Sequence, residues 1–380
     1  MTNPLRREPG FYRWMCLLAA PMVLQNLITT SLGFVDTFMV GLLGNAEMAA
    51  VNAANTPLYV VQVALFGFQS GMIVLGSQYW GRGDLKSINR VMGVALCAIT
   101  GFTALIAAVL FCFPAAVMGL ITPNETLITI GAPYLRLVGL AYVFNGVSSV
   151  CAGTQRSVEN PKFGMLVMGV SMVLNTGLNY ILIFGKCGAP ALGVTGAAVA
   201  TLTSRVAEFI ISAVCTLRSR RVPIDMAALT HPGAGVWRNF LRYSAPVICN
   251  EALWSLGTSM LTVVLGHMEN NQDMLAANAL VGYVSKFSSV ICFGLADAAA
   301  VMVGKEIGEG RDRQRVSSVG WALLWASFLV GVVTGGLLLV LVPAFFRSLL
   351  FPLFKLSPGA AYAATCMVTV LALIMPFHAF

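Results

Sequence analysis

The sequence predicts an all-α polytopic membrane protein built from two parallel repeats, and three observations predict it. The first is composition: 58% of the 380 residues are hydrophobic and only 10% charged, where a soluble domain has roughly a quarter of its residues charged. The second is that basic residues gather at alternate ends of successive apolar segments. The third is that the second half of the chain restarts the first.

The apolar segments run over 14–43, 48–78, 91–119, 128–153, 163–184, 192–216, 240–266, 274–303, 316–342 and 360–380. Nine have the roughly 20 residues of helix that cross a bilayer, and the tenth is still apolar at Phe380, giving about ten transmembrane helices. Gly, Pro and Ser inside them suit helix packing and kinking in a membrane. The lipid bilayer is therefore the chain's first partner.

A net charge of +8 invites a nucleic-acid reading, but the charges lie in the wrong places for one. Seventeen of the 23 Lys and Arg fall at one set of alternate segment ends: Arg6, Arg7, Arg13; Arg82, Lys86, Arg90; Arg156, Lys162; Arg218, Arg220, Arg221, Arg238, Arg242; and Lys305, Arg311, Arg313, Arg315. The opposite ends hold only Lys186, Arg347 and Lys355. This is the positive-inside bias, and it predicts a cytoplasmic N-terminus and a cytoplasmic 217–239 stretch in an integral protein of the cytoplasmic membrane. No nucleic-acid partner is expected. The N-terminal apolar stretch is too long, and lacks the small-residue cleavage pattern, to be a removable signal peptide.

Other chemistry is not written here. The nine cysteines are scattered, mostly within apolar segments, as small packing residues are. His231, His267 and His378 show no metal-ligand spacing, and no G-x-x-x-x-G-K-[ST] loop or G-x-S-x-G elbow occurs. The expectation is a protein that is not an enzyme, carries no cofactor and acts as a monomer.

The repeat appears as matched dipeptides at a slowly drifting offset. Ala20-Pro21 matches Ala245-Pro246, Asn52-Ala53 matches Asn278-Ala279, Phe66-Gly67 matches Phe293-Gly294, and Gly81-x-Gly83 matches Gly308-x-Gly310. Six helices separate the two starts, so both repeats enter from the same side. Parallel repeats of this kind place a substrate site at their interface. The domain reading is an N-terminal six-helix lobe over 1–216, an inter-lobe linker over 217–239, and a C-terminal lobe over 240–380.

At these residues the chain resembles the multidrug and toxic compound extrusion (MATE) family. The matching phrases are Pro21…Asp36-Thr37-x-Met39-Val40-Gly41-x-Leu43-Gly44, Gly81-x-Gly83-Asp84, Gly153-x-Gln155-Arg156…Asn160-Pro161, and Gly193-Val-x-Gly196-Ala197-Ala198-x-Ala200-Thr201. The second repeat adds Pro246…Glu251, Ala276-Ala277 and Gly304-x-x-x-Gly308-x-Gly310. The resemblance implies a twelve-helix transporter of two six-helix lobes, exporting cationic or amphipathic small molecules by antiport with H⁺ or Na⁺. Against that pattern the second bundle is expected to be truncated, by a stretch equivalent to about seventy residues of the first.

Asp36 is the leading candidate. A carboxylate within a spanning helix is costly and is a functional residue by default, and the resemblance makes it the ion-coupling aspartate. Asn175 and Asn179, four residues apart, share one face of the fifth spanning helix. With Asp36 their amide oxygens suit Na⁺, or a carboxylate that changes partners on protonation. The family often has an aspartate where Asn179 stands, which lowers the negative charge of a sodium site here. Thr201 on the sixth helix is a further ligand candidate.

In the second repeat, Glu251 and Lys286 reach similar depths from opposite sides and are candidates to pair, or to bind substrate or coupling ion. Trp254, one turn from Glu251, offers a ring face to an organic cation. Asp297 stands where the first repeat has Ser70 and is a candidate gating residue. Arg205 and Glu208, at i and i+3, are expected to form a local pair; Arg136 has no partner readable in the sequence. The competing function is a lipid or lipid-linked oligosaccharide flippase of the same superfamily, which lines its cavity with several basic residues. A receptor or scaffold would have no need of the repeat.

Overall fold

The computed structural model describes residues 9–268, 271–342, 346 and 357–378. Arg6, Arg7, Arg347, Lys355 and Phe380 lie outside the described residues. What is described is helical: α1 (Pro9–Gly41), α2 (Asn45–Gly81), α3 (Leu85–Cys112), α4 (Pro114–Ile121), α5 (Glu125–Ser157), α6 (Pro161–Phe184), α7 (Gly193–Leu217), α8 (Met226–Thr230), α9 (Ala234–Gly266), α10 (Asn271–Gly308), α11 (Arg313–Leu341) and α12 (Pro358–His378). Among the described residues ten helices, all but α4 and α8, are long and apolar enough to span a membrane.

Local chemistry sets the ends of these elements. Asp84 caps α3: its carboxylate accepts from the Ser87 backbone N–H at 3.0 Å and from the Ser87 hydroxyl, satisfying a donor that the helix start leaves free. Those bonds hold the Asp84 carboxyl below its usual range, the Ser87 side chain contributing most. Asn124 caps α5 through the Thr126 N–H, and α6 ends on Gly185 in the left-handed conformation, at φ 67°.

One sequence reading changes. The apolar stretch 91–119 is two helices, because Pro114 has no N–H to give the ladder and its ring constrains Phe113, so α3 stops and α4 begins. The 217–239 stretch is a docked segment. It contains α8, capped by Asp225; Asn89 on α3 donates to the Pro223 carbonyl at 3.0 Å and accepts from the Asp225 N–H at 3.3 Å.

The chain groups into two compact units. One holds Ser31–Glu251 with Ala300–Gly310; the other holds the described residues within Met1–Thr30, Ala252–Ala299 and Arg311–Phe380. This grouping crosses the repeat boundary: α1 and α9 each give their first part to the unit dominated by the other repeat, and the end of α10 joins the unit that holds α2. In the first unit, a core of Val61, Leu65, Met72, Ile88, Val91 and Ile99 extends to the fully buried Phe240 of α9, stacked 6.1 Å from Phe68. In the other, Ala277, Leu280, Leu338, Val368 and Met375 pack α10, α11 and α12 together.

The repeat is visible as matched contacts. A β-carbon on Gly67 of α2 would collide with Ile248 of α9. A β-carbon on its repeat counterpart, Gly294 of α10, would collide with Val23 of α1, and Val23 and Ile248 are themselves offset by the spacing that relates Pro21 to Pro246. Gly81 and its counterpart Gly308 meet each other, a β-carbon on Gly81 falling 3.0 Å from the Gly308 Cα.

Candidate functional site

The candidate site of the first repeat is built from three helices. Asp36 lies near the end of α1, partly buried, and its Oδ1 accepts a short hydrogen bond from Asn179 Nδ2 on α6. The same amide nitrogen donates to Asn175 Oδ1 at 3.0 Å, one turn earlier on α6. Asn175 Nδ2 donates in turn to Thr201 Oγ1 on α7 at 3.4 Å. The four candidate ion-coupling residues thus form one continuous chain, Asp36–Asn179–Asn175–Thr201. Thr37, next to Asp36, is not part of it; its hydroxyl donates back to the Gly33 carbonyl at 2.9 Å.

One acceptor is left over. Asn179 Oδ1 is buried without a hydrogen-bond partner among the described residues. A buried polar atom without a partner carries a desolvation cost of about 1–3 kcal/mol, and beside a carboxylate it offers an oxygen to a small cation. The donor set Asp36, Asn179, Asn175 and Thr201 is all oxygen on its accepting side, as a hard cation prefers. It serves a proton equally well: once Asp36 is neutral, a turned Asn179 amide can accept where it now donates.

Sequence reasoning missed the surroundings. Tyr134 on α5 donates to Asn55 Oδ1 at 3.5 Å and lies within electrostatic reach of Asp36, as does Arg205 on α7. The expected Arg205–Glu208 pair is present, with 2.6 Å between Nη1 and Oε2, and Ser171 on α6 donates to the same Glu208 oxygen at 3.0 Å. Arg136, unassigned from the sequence, donates through Nε to the Phe111 carbonyl at 3.1 Å and lies 5.4 Å over the Phe111 ring, so it closes the last turn of α3. Glu159, between α5 and α6, is in the left-handed region at φ 59° and pairs with Lys305 of α10 at 2.9 Å. Trp80 Nε1 donates to its other oxygen at 3.2 Å. Only the i and i+3 spacing of Arg205 and Glu208 was visible in advance; the other partners are distant in sequence.

The second-repeat candidates lie on α9 and α10. Glu251 is half-buried on α9 and Trp254, a turn on, is 56% exposed. Lys286 is exposed on α10, its Nζ 5.8 Å from the ring of Tyr283 on the same helix, and Asp297 is half-buried further along α10. Glu251 belongs to one compact unit and the other three to the second.

With this geometry in hand, comparison with known proteins is decisive on kinship. A MatE family model matches residues 21–181 and 246–380. The chain belongs to the MatE family. Among its MatE relatives, a probable multidrug resistance protein YoeA of Bacillus subtilis is 24% identical, covering 91% of this chain and 74% of its own length. A probable multidrug resistance protein NorM of Neisseria meningitidis is also 24% identical, over 96% of this chain and 78% of its own. A solved structure described as the outward-facing conformation of a multidrug resistance MATE family transporter superposes with a TM-score of 0.88 at 18% identity, covering 99% of this chain and 81% of that one. A transporter of the MOP superfamily from Pyrococcus furiosus, described as having a binding pocket of reverse polarity, superposes at 0.85 with 19% identity over 98% and 81%. These likenesses establish the MATE transporter fold.

Proposed function

We propose that this MATE family membrane transporter is a secondary active antiporter, exporting cationic and amphipathic small molecules in exchange for H⁺ or Na⁺. One observation carries the proposal: the Asp36–Asn179–Asn175–Thr201 chain, with the unpartnered Asn179 oxygen beside the carboxylate. A carboxylate bonded to α6, and through its amides linked to α7, changes those ties when its charge is neutralised, and that change alters helix packing. Either ion must bind two conformations with different affinity, or it drives nothing. The lobes that alternate are read as 1–216 and 240–380, joined by 217–239, with the N-terminus cytoplasmic and the protein monomeric. Glu251, Trp254, Lys286 and Asp297 are the second-repeat residues assigned to substrate or coupling ion. The names of the relatives, multidrug resistance proteins, support this substrate class.

The flippase reading is weaker on a specific ground. Two intramembrane basic residues it would turn toward a pyrophosphate are already engaged, Arg205 with Glu208 and Arg136 with the Phe111 carbonyl. Ethidium accumulation in a pump-deficient bacterial host tests the choice. Expression of the protein is expected to lower dye retention, and Asp36→Asn to restore it. Unaltered retention with the protein inserted in the membrane would remove the drug-export reading.

A further inference from the structure

We propose that the seam between α6 and α7 is a proton pathway, in which Glu208 is an intermediate proton-holding site between Asp36 and the end of α7 that carries Arg218. The proposal rests on Asp36 being the coupling residue, and narrows the coupling ion to the proton. Its first support is register. Thr201, Arg205, Glu208, Ser212 and Thr216 recur along α7 at spacings of four, three, four and four, so they share one face. At 1.5 Å per residue they extend about 22 Å along the helix. Facing them, α6 presents Asn179, Asn175 and Ser171, each four residues apart. Hydrogen bonds join the two faces at two levels, Asn175 to Thr201 at 3.4 Å and Ser171 to Glu208 at 3.0 Å.

The second support is the charge. Glu208 is 4% exposed, and an apolar side chain would fill that position without the desolvation a buried ion pair costs. The third is what lies beyond it. Ser212 is 1% exposed and its hydroxyl has no hydrogen-bond partner among the described residues. One turn on, Thr216 is equally buried, beside the Cys151 thiol of α5. Buried hydroxyls of this kind are normally met by water. A hydroxyl or a water donates and accepts at once and so hands a proton on, whereas an amide holds its neighbours in place. The titratable and charged groups facing the path are Arg205 on α7, Tyr134 and Tyr142 on α5 around Asp36 and Arg205, and Cys151 at the far end. From α6 the two amides, the Ser171 hydroxyl and Met168 Sδ, 3.8 Å from Arg205, meet this face, and Lys162 stands exposed in the first turn of α6.

The transfer balances as a proton movement alone. The O–H bond of protonated Asp36 breaks, and its proton passes over water, past the two amides, to the Thr201 hydroxyl, which hands its own proton on through water to the Glu208 carboxylate. Glu208 becomes the neutral acid and Asp36 the carboxylate. Arg205, released from Glu208, is within electrostatic reach to balance the new charge. Glu208 then releases its proton, relayed by the Ser212 and Thr216 hydroxyls, to bulk water at the Arg218 end, and the Arg205–Glu208 pair re-forms.

The test uses the protein in proteoliposomes, with ethidium as the transported probe and a lumenal pH dye reporting proton flux. Two rates are measured, ethidium transport driven by a proton gradient and ethidium exchange without one. In Glu208→Gln the ratio of driven transport to exchange is expected to fall at least about tenfold, the scale of losing a positioned proton carrier. Because that variant leaves Arg205 unpaired, Arg205→Met/Glu208→Gln is measured beside it. The pathway requires the double variant to stay uncoupled; recovery of driven transport there would reduce the pair to a structural one and overturn the proposal. Ser212→Ala is expected to slow proton flux several-fold, roughly the cost of one relay group, and decides the matter if neither charge variant inserts; unchanged flux overturns the proposal. Transport driven by a sodium gradient and not by protons also overturns it. If Asp36→Asn keeps gradient-driven transport, the coupling reading itself has failed. If Asp36→Asn abolishes it while Glu208→Gln keeps the unsubstituted ratio, only the pathway has.

Discussion

A carboxylate within a spanning helix is stable only beside groups that meet its charge, and Asp36 finds them on helices far from it in sequence. Asn179 is 143 residues away and donates to it directly. The sequence named these partners because a carboxylate and two amides four residues apart stand out against an apolar background. It did not name Tyr134 or Ser171, because a Tyr or Ser in a membrane helix is common and its role depends on which face meets a neighbour. Arg136 was opaque for a different reason, since its partner is a backbone carbonyl, which every residue has. In the second repeat Glu251 is the acid next to be tested. Glu251→Gln is expected to lower ethidium efflux about tenfold, equivalent to about 1.4 kcal/mol of lost stabilisation, with membrane expression near that of the unsubstituted protein. Full efflux would exclude it from substrate and ion binding.

Elements follow from caps, breakers and close approaches, and these were unevenly legible. The spans were readable from apolar length alone. The break at Pro114 was hidden within a longer apolar run because hydropathy does not register a missing N–H, and the docking of 217–239 onto Asn89 was hidden because a side chain's choice of distant carbonyl leaves no local pattern. The Asp84 cap makes a direct prediction. Asp84→Ala is expected to destabilise the protein by about 1 kcal/mol, seen as a lower thermal midpoint in detergent. The carboxyl is held below its usual range, so the ionised form favours the folded state. The contribution is present above the ordinary carboxylate range and lost as pH falls through the lowered value; the difference between Asp84→Ala and the unsubstituted protein should therefore shrink in acid. The glycine contacts make another. Gly308→Val sets a branched side chain against the Gln78 backbone and is expected to cost about 1–3 kcal/mol, while valine at Gly320, where a β-carbon meets nothing within 4 Å, should cost far less. Equal midpoints for the two would deny the close α2–α10 contact.

For the whole molecule, the drifting dipeptide offsets were a sound guide, since Gly67 and Gly294, and Gly81 and Gly308, occupy matched contacts. What the offsets did not reveal is that α1 and α9 each divide between the two compact units, because exchange of helix halves leaves the repeat pattern intact. Orientation rests on the basic segment ends and is tested by a cysteine at Ser219, in a background with the exposed native cysteines replaced. Intact cells should protect it from an impermeant maleimide and permeabilised cells should not; labelling in intact cells would invert the topology. The proposed transport cycle depends on Asp36 converting ion binding into a change of helix packing. The most direct test is substrate efflux from proteoliposomes under an imposed proton or sodium gradient, comparing the unsubstituted protein with Asp36→Asn, which fixes the neutral state. The variant is expected to insert and fold, with efflux that no longer responds to either gradient. Gradient-driven efflux at the unsubstituted rate would contradict it and move the coupling site elsewhere, to Glu251 first.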